Sequence, residues 1–138
     1  MSKTVLLYNA KTKELKPFNI KTETETSRDI DLYAMYEALN CDTVECRRIF
    51  HNKYLIWFDE EFLCHEDRYK KEDVASMILP ETMEPIFGNF LVVKNKEPEC
   101  GSLDDNDILL LRPAIEKLQK TLREQNITYG MVSGSLSY

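Results

Sequence analysis

The chain has 138 residues, of which 43% are hydrophobic and 30% are charged, and its net charge is −6. A chain of this length fits one compact domain of ordinary size. The acidic balance argues against direct binding to nucleic acid, because phosphate contacts need clustered Lys and Arg. No apolar run approaches the roughly 20 residues that span a membrane, so we expect a soluble protein.

The N-terminal sequence and the cysteines predict a cytoplasmic protein without metal or cofactor. The apolar stretch Val5–Tyr8 is too short for a signal peptide, and without export the four cysteines are not expected to form disulfides. Cys41 and Cys46 lack the second close pair of ligands that structural zinc requires. We therefore expect buried thiols.

The first predicted element is a β-hairpin. Its strands are Thr4–Asn9 and Glu14–Ile20, which flank a polar connection. Pro17 has no backbone N–H to donate, so the second strand is expected at a sheet edge. The segment Lys21–Thr26 has no apolar anchor and is expected to form a loop.

A helix is predicted next. Ser27 is a suitable N-cap, and the acidic residues after it suit the positive end of the helix dipole. Asn40 is expected to end the helix. The residues at helical spacing that should be buried are Leu32, Met35, Tyr36 and Leu39.

A second hairpin follows. Thr43–Phe50 alternates as a strand does, and Arg48 falls on the side that should face the core. Residues His51–Lys53 are predicted to form a turn. The next strand, Tyr54–Phe58, is apolar on both faces and is therefore expected in the middle of the sheet.

Beyond this hairpin we predict a short helix, a strand and a loop. The helix starts near Lys71 and ends at Pro80, because proline cannot continue the helical hydrogen bonds. A turn leads into the strand Phe90–Val93, and Lys94–Gly101 is expected to be a polar loop. The buried positions of the short helix would be Val74, Met77 and Ile78. The turn would be flanked by Pro85 and Gly88.

A long helix is predicted from Asp104 or Asp105, and Pro113 should bend or divide it. Its buried positions are Ile108, Leu111, Ile115, Leu118 and Leu122. Residues 109–111 are three consecutive leucines, more apolar surface than one face can hide. The helix is therefore expected either to contact another protein or a second copy through Leu110, or to lie deep under the sheet.

These elements predict an α+β fold. One domain over residues 1–125 would contain a mixed or antiparallel sheet of two hairpins and one further strand, packed against two or three helices. Residues 126–138 are rich in Gly and Ser and lack a pattern. We expect them to be a mobile tail or to serve in assembly.

A basic cluster of Arg47, Arg48 and His51 is the best candidate for anion binding. An inward-facing Arg48 needs an acidic or phosphate partner, because an unpaired buried charge is costly. Tyr54 and Trp57 are candidates for stacking on a base, or they simply build the core. The acidic residues that could pair with Arg48 instead are Glu37, Glu45 and Asp59.

An acidic cluster of Asp59, Glu60 and Glu61 follows the central strand. With His65 nearby it could hold a divalent cation, or it could form an acidic face that binds a protein. The ordinary alternative is a solvated turn that discourages edge pairing. No nucleophile motif and no glycine-rich phosphate loop accompanies the cluster, so we expect a protein that is not an enzyme.

Three segments carry a family resemblance: Met35–Glu45, Tyr54–Glu61 and Pro85–Val93. In this order they resemble a family of small domains of unknown function found in tailed phages and mobile genetic elements. In that family a helix ending in L-G-C precedes a strand pair closing on D-E-x-G, and I-x-G-x-x-V-V follows. Asn40 and Phe62 stand where the family tends to have glycine. The resemblance implies a phage-type accessory protein and assigns no catalytic residue.

Our leading hypothesis is a homo-oligomeric counter-defence protein in the cytoplasm of an infected host cell. It would sequester a small anionic or nucleotide signalling ligand with the basic cluster, while an aromatic side chain stacks on the base. A first alternative is a protein inhibitor whose acidic cluster binds a host defence or nucleic-acid enzyme. A second alternative is a metal-dependent hydrolase.

Overall fold

The computed structural model describes residues 2–22, 30–41, 43–59, 75–96 and 99–125. The strands are β1 Ser2–Asn9, β2 Glu14–Lys21, β3 Glu45–Ile49, β4 Tyr54–Phe58, β5 Met77–Ile78, β6 Pro85–Ile86, β7 Phe90–Lys96 and β8 Glu99–Gly101. The helices are α1 Leu32–Leu39 and α2 Asp105–Gln125. Each strand pair is antiparallel, so the predicted α+β class is confirmed.

Six strands form the main sheet, in the order β2-β1-β7-β4-β3 with β8 beside β7, while β5 and β6 form a separate pair. Both predicted hairpins and the further strand are present. β4 lies between β7 and β3, as its two-sided apolar sequence predicts. β2 is an edge strand, and Pro17 lies there opposite Leu6 without interrupting the interior of the sheet.

The sheet has an apolar surface on each side, because side chains alternate along every strand. We call one side the α2 face. It includes Tyr54, Ile56, Phe90 and Val92, which share a core with Leu111 and Ile115 of α2. We call the other side the α1 face. It includes Leu55, Leu91 and Val93, which share a core with Met35 and Leu39 of α1. The sheet therefore lies between the two helices.

The first helix begins later than Ser27, so the predicted N-cap is wrong. Asp31 caps α1 instead, because its Oδ1 accepts a hydrogen bond of 2.9 Å from the Tyr33 N–H. Thr22 and Ile30 form an antiparallel bridge, so Thr22 still pairs directly after β2. The loop predicted from Lys21 is therefore also wrong at its start. Ser27 itself lies outside the described residues.

The end of α1 is as predicted, since Asn40 adopts the left-handed conformation with φ 54° and closes the helix. Of the predicted buried positions, Met35 and Leu39 are confirmed. Leu32 is 45% exposed, so its predicted burial is wrong. It lies in the first turn of the helix, where the polar cap at Asp31 also meets solvent.

The short helix predicted to end at Pro80 is wrong where it falls on described residues. Met77–Ile78 pairs as β5 with β6, and the Ser76 N–H donates to the Ile86 carbonyl at 2.7 Å. A short buried apolar run suits a strand as well as a helix, and here the partner strand decides. Residues 71–74, which include Val74, lie outside the described range.

The polar loop predicted over Lys94–Gly101 is a hairpin instead. β7 continues to Lys96, and Asn95 lies opposite Cys100 of β8. Gly101 permits this pairing, because a Cβ there would lie 2.7 Å from Lys96 Cγ. Residues 94–96 and 99–101 therefore belong to the sheet although most of their side chains are polar.

The long helix is confirmed and buries Leu111, Ile115 and Leu122. It continues through Pro113 as one element, so the predicted division is not observed. The apolar contacts on either side of Pro113 hold both halves against the sheet. Neither helix in the described part of the chain is long and apolar enough to cross a membrane.

The adjacent residues Leu110 and Leu111 test the orientation of α2. Leu111 is 2% exposed and Leu110 is 61% exposed. We expect Leu111→Ala to lower the free energy of unfolding by about 2–5 kcal/mol, because it leaves a core cavity. Leu110→Ala should change it by no more than about 0.5 kcal/mol. Urea unfolding measures both, and equal losses would contradict this orientation.

Candidate functional site

The two adjacent arginines of β3 lie on opposite faces of the sheet. Arg47 is opposite Ile56 on the α2 face, and Arg48 is opposite Leu55 on the α1 face. The fold therefore does not bring the basic cluster together on one surface. Arg48 is exposed, so its predicted burial is wrong. β3 is the outermost strand, where the inward side of the pleat still reaches water.

Arg47 is held by two glutamates. Its Nε lies 2.6 Å from Glu45 Oε1, and its Nη2 lies 3.8 Å from Glu84 Oε2. The hydrogen bond to Glu45 raises the pKa of Arg47, although burial opposes the rise. Glu45 was one of the partners considered for Arg48, but it shares a face with Arg47. Because the charge of Arg47 is already compensated, Arg47 is a weak candidate for binding an anion.

Trp57 lies on the same face as Arg48. Cys46 is opposite Trp57 and Arg48 is opposite Leu55, so Arg48 and Trp57 are diagonal neighbours across β3 and β4. Long side chains at diagonal positions can contact each other. Trp57 is half-buried, and its Nε1 is buried without an acceptor among the described residues. A buried N–H without a partner is unfavourable.

His51 is exposed in the turn between β3 and β4. The predicted turn is confirmed, since His51 and Asn52 both have positive φ angles, 59° and 64°. The backbone N–H of His51 lies 3.3 Å from Glu81 Oε1. His51 thus stands at the end of the hairpin, beyond the strands that carry Arg48 and Trp57.

Tyr54 belongs to a polar network on the α2 face. Its hydroxyl donates to Asp107 Oδ1 at 2.8 Å, and Lys94 Nζ donates to Asp107 Oδ2 at 3.1 Å. The Asp104 N–H donates to Asp107 Oδ2 at 3.0 Å, and the Asp107 N–H donates to Asp104 Oδ1 at 2.8 Å. These reciprocal bonds cap α2. Tyr54 therefore fixes the start of α2 to the sheet and is not placed to stack on a ligand.

The network holds its charges in fixed states. Burial raises the pKa of Tyr54 to about 12, and the hydrogen bond to Asp107 acts in the same direction. Burial opposes ionisation of Asp107, but hydrogen bonds from the Asp104 N–H, Tyr54 and Lys94 outweigh it and lower the pKa of Asp107. Neither group changes protonation near neutral pH, where a general acid or base would have to work.

Of the three residues in the acidic cluster, only Asp59 is among the residues that the structure describes. Asp59 is 6% exposed, and its Oδ1 accepts a 3.2 Å hydrogen bond from the Thr43 hydroxyl. It therefore joins the two strand ends and adds little charge to the surface. Glu60, Glu61 and His65 lie outside the described residues. Within the described ranges, no three His, Cys, Asp or Glu side chains are grouped to hold a metal ion.

A groove runs between β2 and α2. Its lining residues are Pro17, Asp105, Ile108, Leu109, Arg112 and Pro113, around a volume of about 460 Å³. Leu109 is 73% exposed and Leu110 is 61% exposed, so burial of all three leucines is wrong. Leu110 is equally part of α2 but does not line the groove. Sequence reasoning missed Asp105 and Arg112, although their spacing places them beside Leu109.

Tyr54→Phe tests the network, because it removes one donor from buried Asp107 and keeps the ring. We expect the free energy of unfolding to fall by about 1–3 kcal/mol at neutral pH. Urea unfolding measures the loss. Phe50→Leu is a suitable control, since it changes a partly buried ring that contacts Tyr54 without touching the hydrogen bond.

The same variant has a defined pH dependence. Folding raises the pKa of Tyr54 from 10.0 to about 12, so the folded protein retains the proton longer than the unfolded chain. The stability that Tyr54 contributes is full below pH 10.0 and is lost as pH rises toward about 12. The difference between the wild type and Tyr54→Phe should therefore shrink across this window. A difference that stays constant there would contradict the role given to the hydroxyl.

Comparison with known proteins gives a family for this fold. Residues 4–122 match DUF3846, a domain of unknown function, and the match runs from β1 into α2. No curated protein and no solved structure matches the chain. The resemblance carried by the three sequence segments is confirmed by this match. The chain therefore belongs to the DUF3846 family.

Proposed function

We propose that this protein is a noncatalytic binding protein that sequesters a small anionic ligand, foremost a nucleotide. Arg48 and Trp57 would hold the ligand on the α1 face. The observation that carries the proposal is their diagonal placement across β3 and β4, together with the Trp57 Nε1 that has no acceptor in the described part of the chain.

The two side chains offer complementary chemistry. A guanidinium binds phosphate through paired N–H groups, and the Arg48 side chain is exposed at the edge of the sheet. An indole offers a flat surface on which a base stacks. Trp57 also has a donor, the buried Nε1, whose hydrogen bond a polar ligand atom would complete if the indole turns outward on binding. A nucleotide combines an anion, a ring and acceptor atoms at the separation of two neighbouring side chains.

Binding is favoured over catalysis by the way the polar groups are used. Tyr54, Asp107 and Lys94 fix α2 to the sheet, and Arg47 is neutralised by Glu45 and Glu84. Sequestration is also favoured over inhibition through the acidic cluster, because Asp59 is buried. The proposed setting, defence against a host response by a phage-type accessory protein, rests on the sequence resemblance alone.

A thermal shift experiment tests the proposal. The purified protein is heated with linear and cyclic nucleotides, and the ligand is recovered after denaturation. A ligand present at 100 times its Kd stabilises the native state by about 2.7 kcal/mol. We expect a higher Tm and intact ligand. Recovery of a cleaved product would make the protein an enzyme, and no shift with any nucleotide would refute nucleotide binding.

The adjacent arginines provide a matched pair of variants. Arg48→Gln should weaken binding of the stabilising nucleotide by at least about tenfold, because a charge-assisted hydrogen bond is lost. Arg47→Gln removes the same charge from the opposite face and should leave the affinity unchanged. Isothermal titration calorimetry measures both. Equal affinity losses would place the ligand elsewhere or show only a general charge effect.

A further inference from the structure

We infer that the groove between β2 and α2 binds the same groove of a second copy of this chain. The two α2 helices would pack antiparallel about a two-fold axis. Leu109 is 73% exposed at the centre of the lining, which is otherwise formed by Pro17, Ile108, Pro113 and two charged residues. A strongly exposed leucine among other apolar side chains in a groove is a candidate contact for a partner.

The charged residues beside Leu109 indicate that the groove binds a second copy of this chain. Asp105, Leu109 and Arg112 follow one another at i, i+4 and i+7 and therefore lie on one side of α2. In an antiparallel pair with the axis near Leu109, Asp105 of each copy faces Arg112 of the other. A two-fold interface forms every such contact twice. A partner of uniform charge would match one of these residues and repel the other.

Arg112 gives an independent reason for a carboxylate at this place. Its Nε is buried without an acceptor among the described residues, although the residue as a whole is only half-buried. Asp105 of the same chain lies seven residues away, about 10 Å along the helix axis, too far for a direct hydrogen bond. Nε has almost no accessible surface in one copy, so the carboxylate of a second copy supplies the missing acceptor once the Arg112 side chain shifts toward the groove.

The strand that borders the groove favours a helical partner over an added strand. β2 is an edge strand, but Pro17 has no N–H to donate to another strand. Added strands depend on such main-chain hydrogen bonds. A partner at this edge is therefore expected to pack its side chains against α2. The α2 helix of a second copy can make this contact.

The dimer is independent of the proposed ligand site. The groove is formed by α2 and by Pro17, which lies opposite Leu6 on the α2 face. Arg48 and Trp57 lie on the α1 face. A dimer could therefore form whether or not a nucleotide binds, and each property can fail without the other.

Sedimentation equilibrium over a range of concentrations tests the inference. The wild type should be a dimer. Leu109→Asp should raise the dimer Kd at least tenfold, whereas Leu110→Asp, at a comparably exposed position outside the groove, should leave it unchanged. Circular dichroism checks that both variants are folded. A wild type that is monomeric at every concentration, or equal effects of the two variants, would overturn the inference.

Charge reversal supplies a test that misfolding cannot imitate. Asp105→Arg and Arg112→Glu each place like charges opposite each other in the symmetric pair, so each alone should be monomeric. Mixing the two variants restores both opposite-charge contacts, and we expect a heterodimer. The double variant should also dimerise. If neither the mixture nor the double variant dimerises, the reciprocal pairing is refuted.

Discussion

The fold depends on a central strand that cannot face water on either side. In β7, Phe90, Leu91, Val92 and Val93 are each 0% exposed. An antiparallel sheet often leaves one face in solvent, but a strand that is apolar on both sides requires cover on both. α2 covers one face and α1 the other. In the described part of the chain, the sheet edges and the outer sides of the helices therefore provide most of the exposed surface.

The polar network around Asp107 uses several polar side chains for stability, so these side chains are not available for binding a ligand. It joins Tyr54 of β4, Lys94 of β7 and the cap at Asp104, and thereby fixes α2 across the sheet. A buried network of this kind rigidifies the fold when its members are satisfied. Among the described residues, two buried side-chain nitrogens have no hydrogen-bond acceptor: Trp57 Nε1 and Arg112 Nε. They lie beside the two surfaces for which we propose a nucleotide and a second copy.

Sequence reasoning succeeded where a pattern had one structural solution. The two-sided apolar run in β4 required a central position, and the helical spacing in α2 required one buried face. It failed at Met77–Ile78, because a short buried apolar run before a proline suits a helix as well as a strand, and the pairing with β6 decides. The separation of Arg47 from Arg48 follows from strand alternation and was predictable. The bond from Tyr54 to Asp107 spans 53 residues and was not.

The central claim is that the two faces of the sheet serve different purposes. Hydrogen–deuterium exchange of the wild-type protein, with and without the stabilising nucleotide and above and below the dimer Kd, tests it most directly. The ligand should slow exchange in β3 and the turn after it, and leave residues 105–113 unchanged. Dilution should speed exchange in residues 105–113 alone. Changes on the same segments in both comparisons would contradict the account.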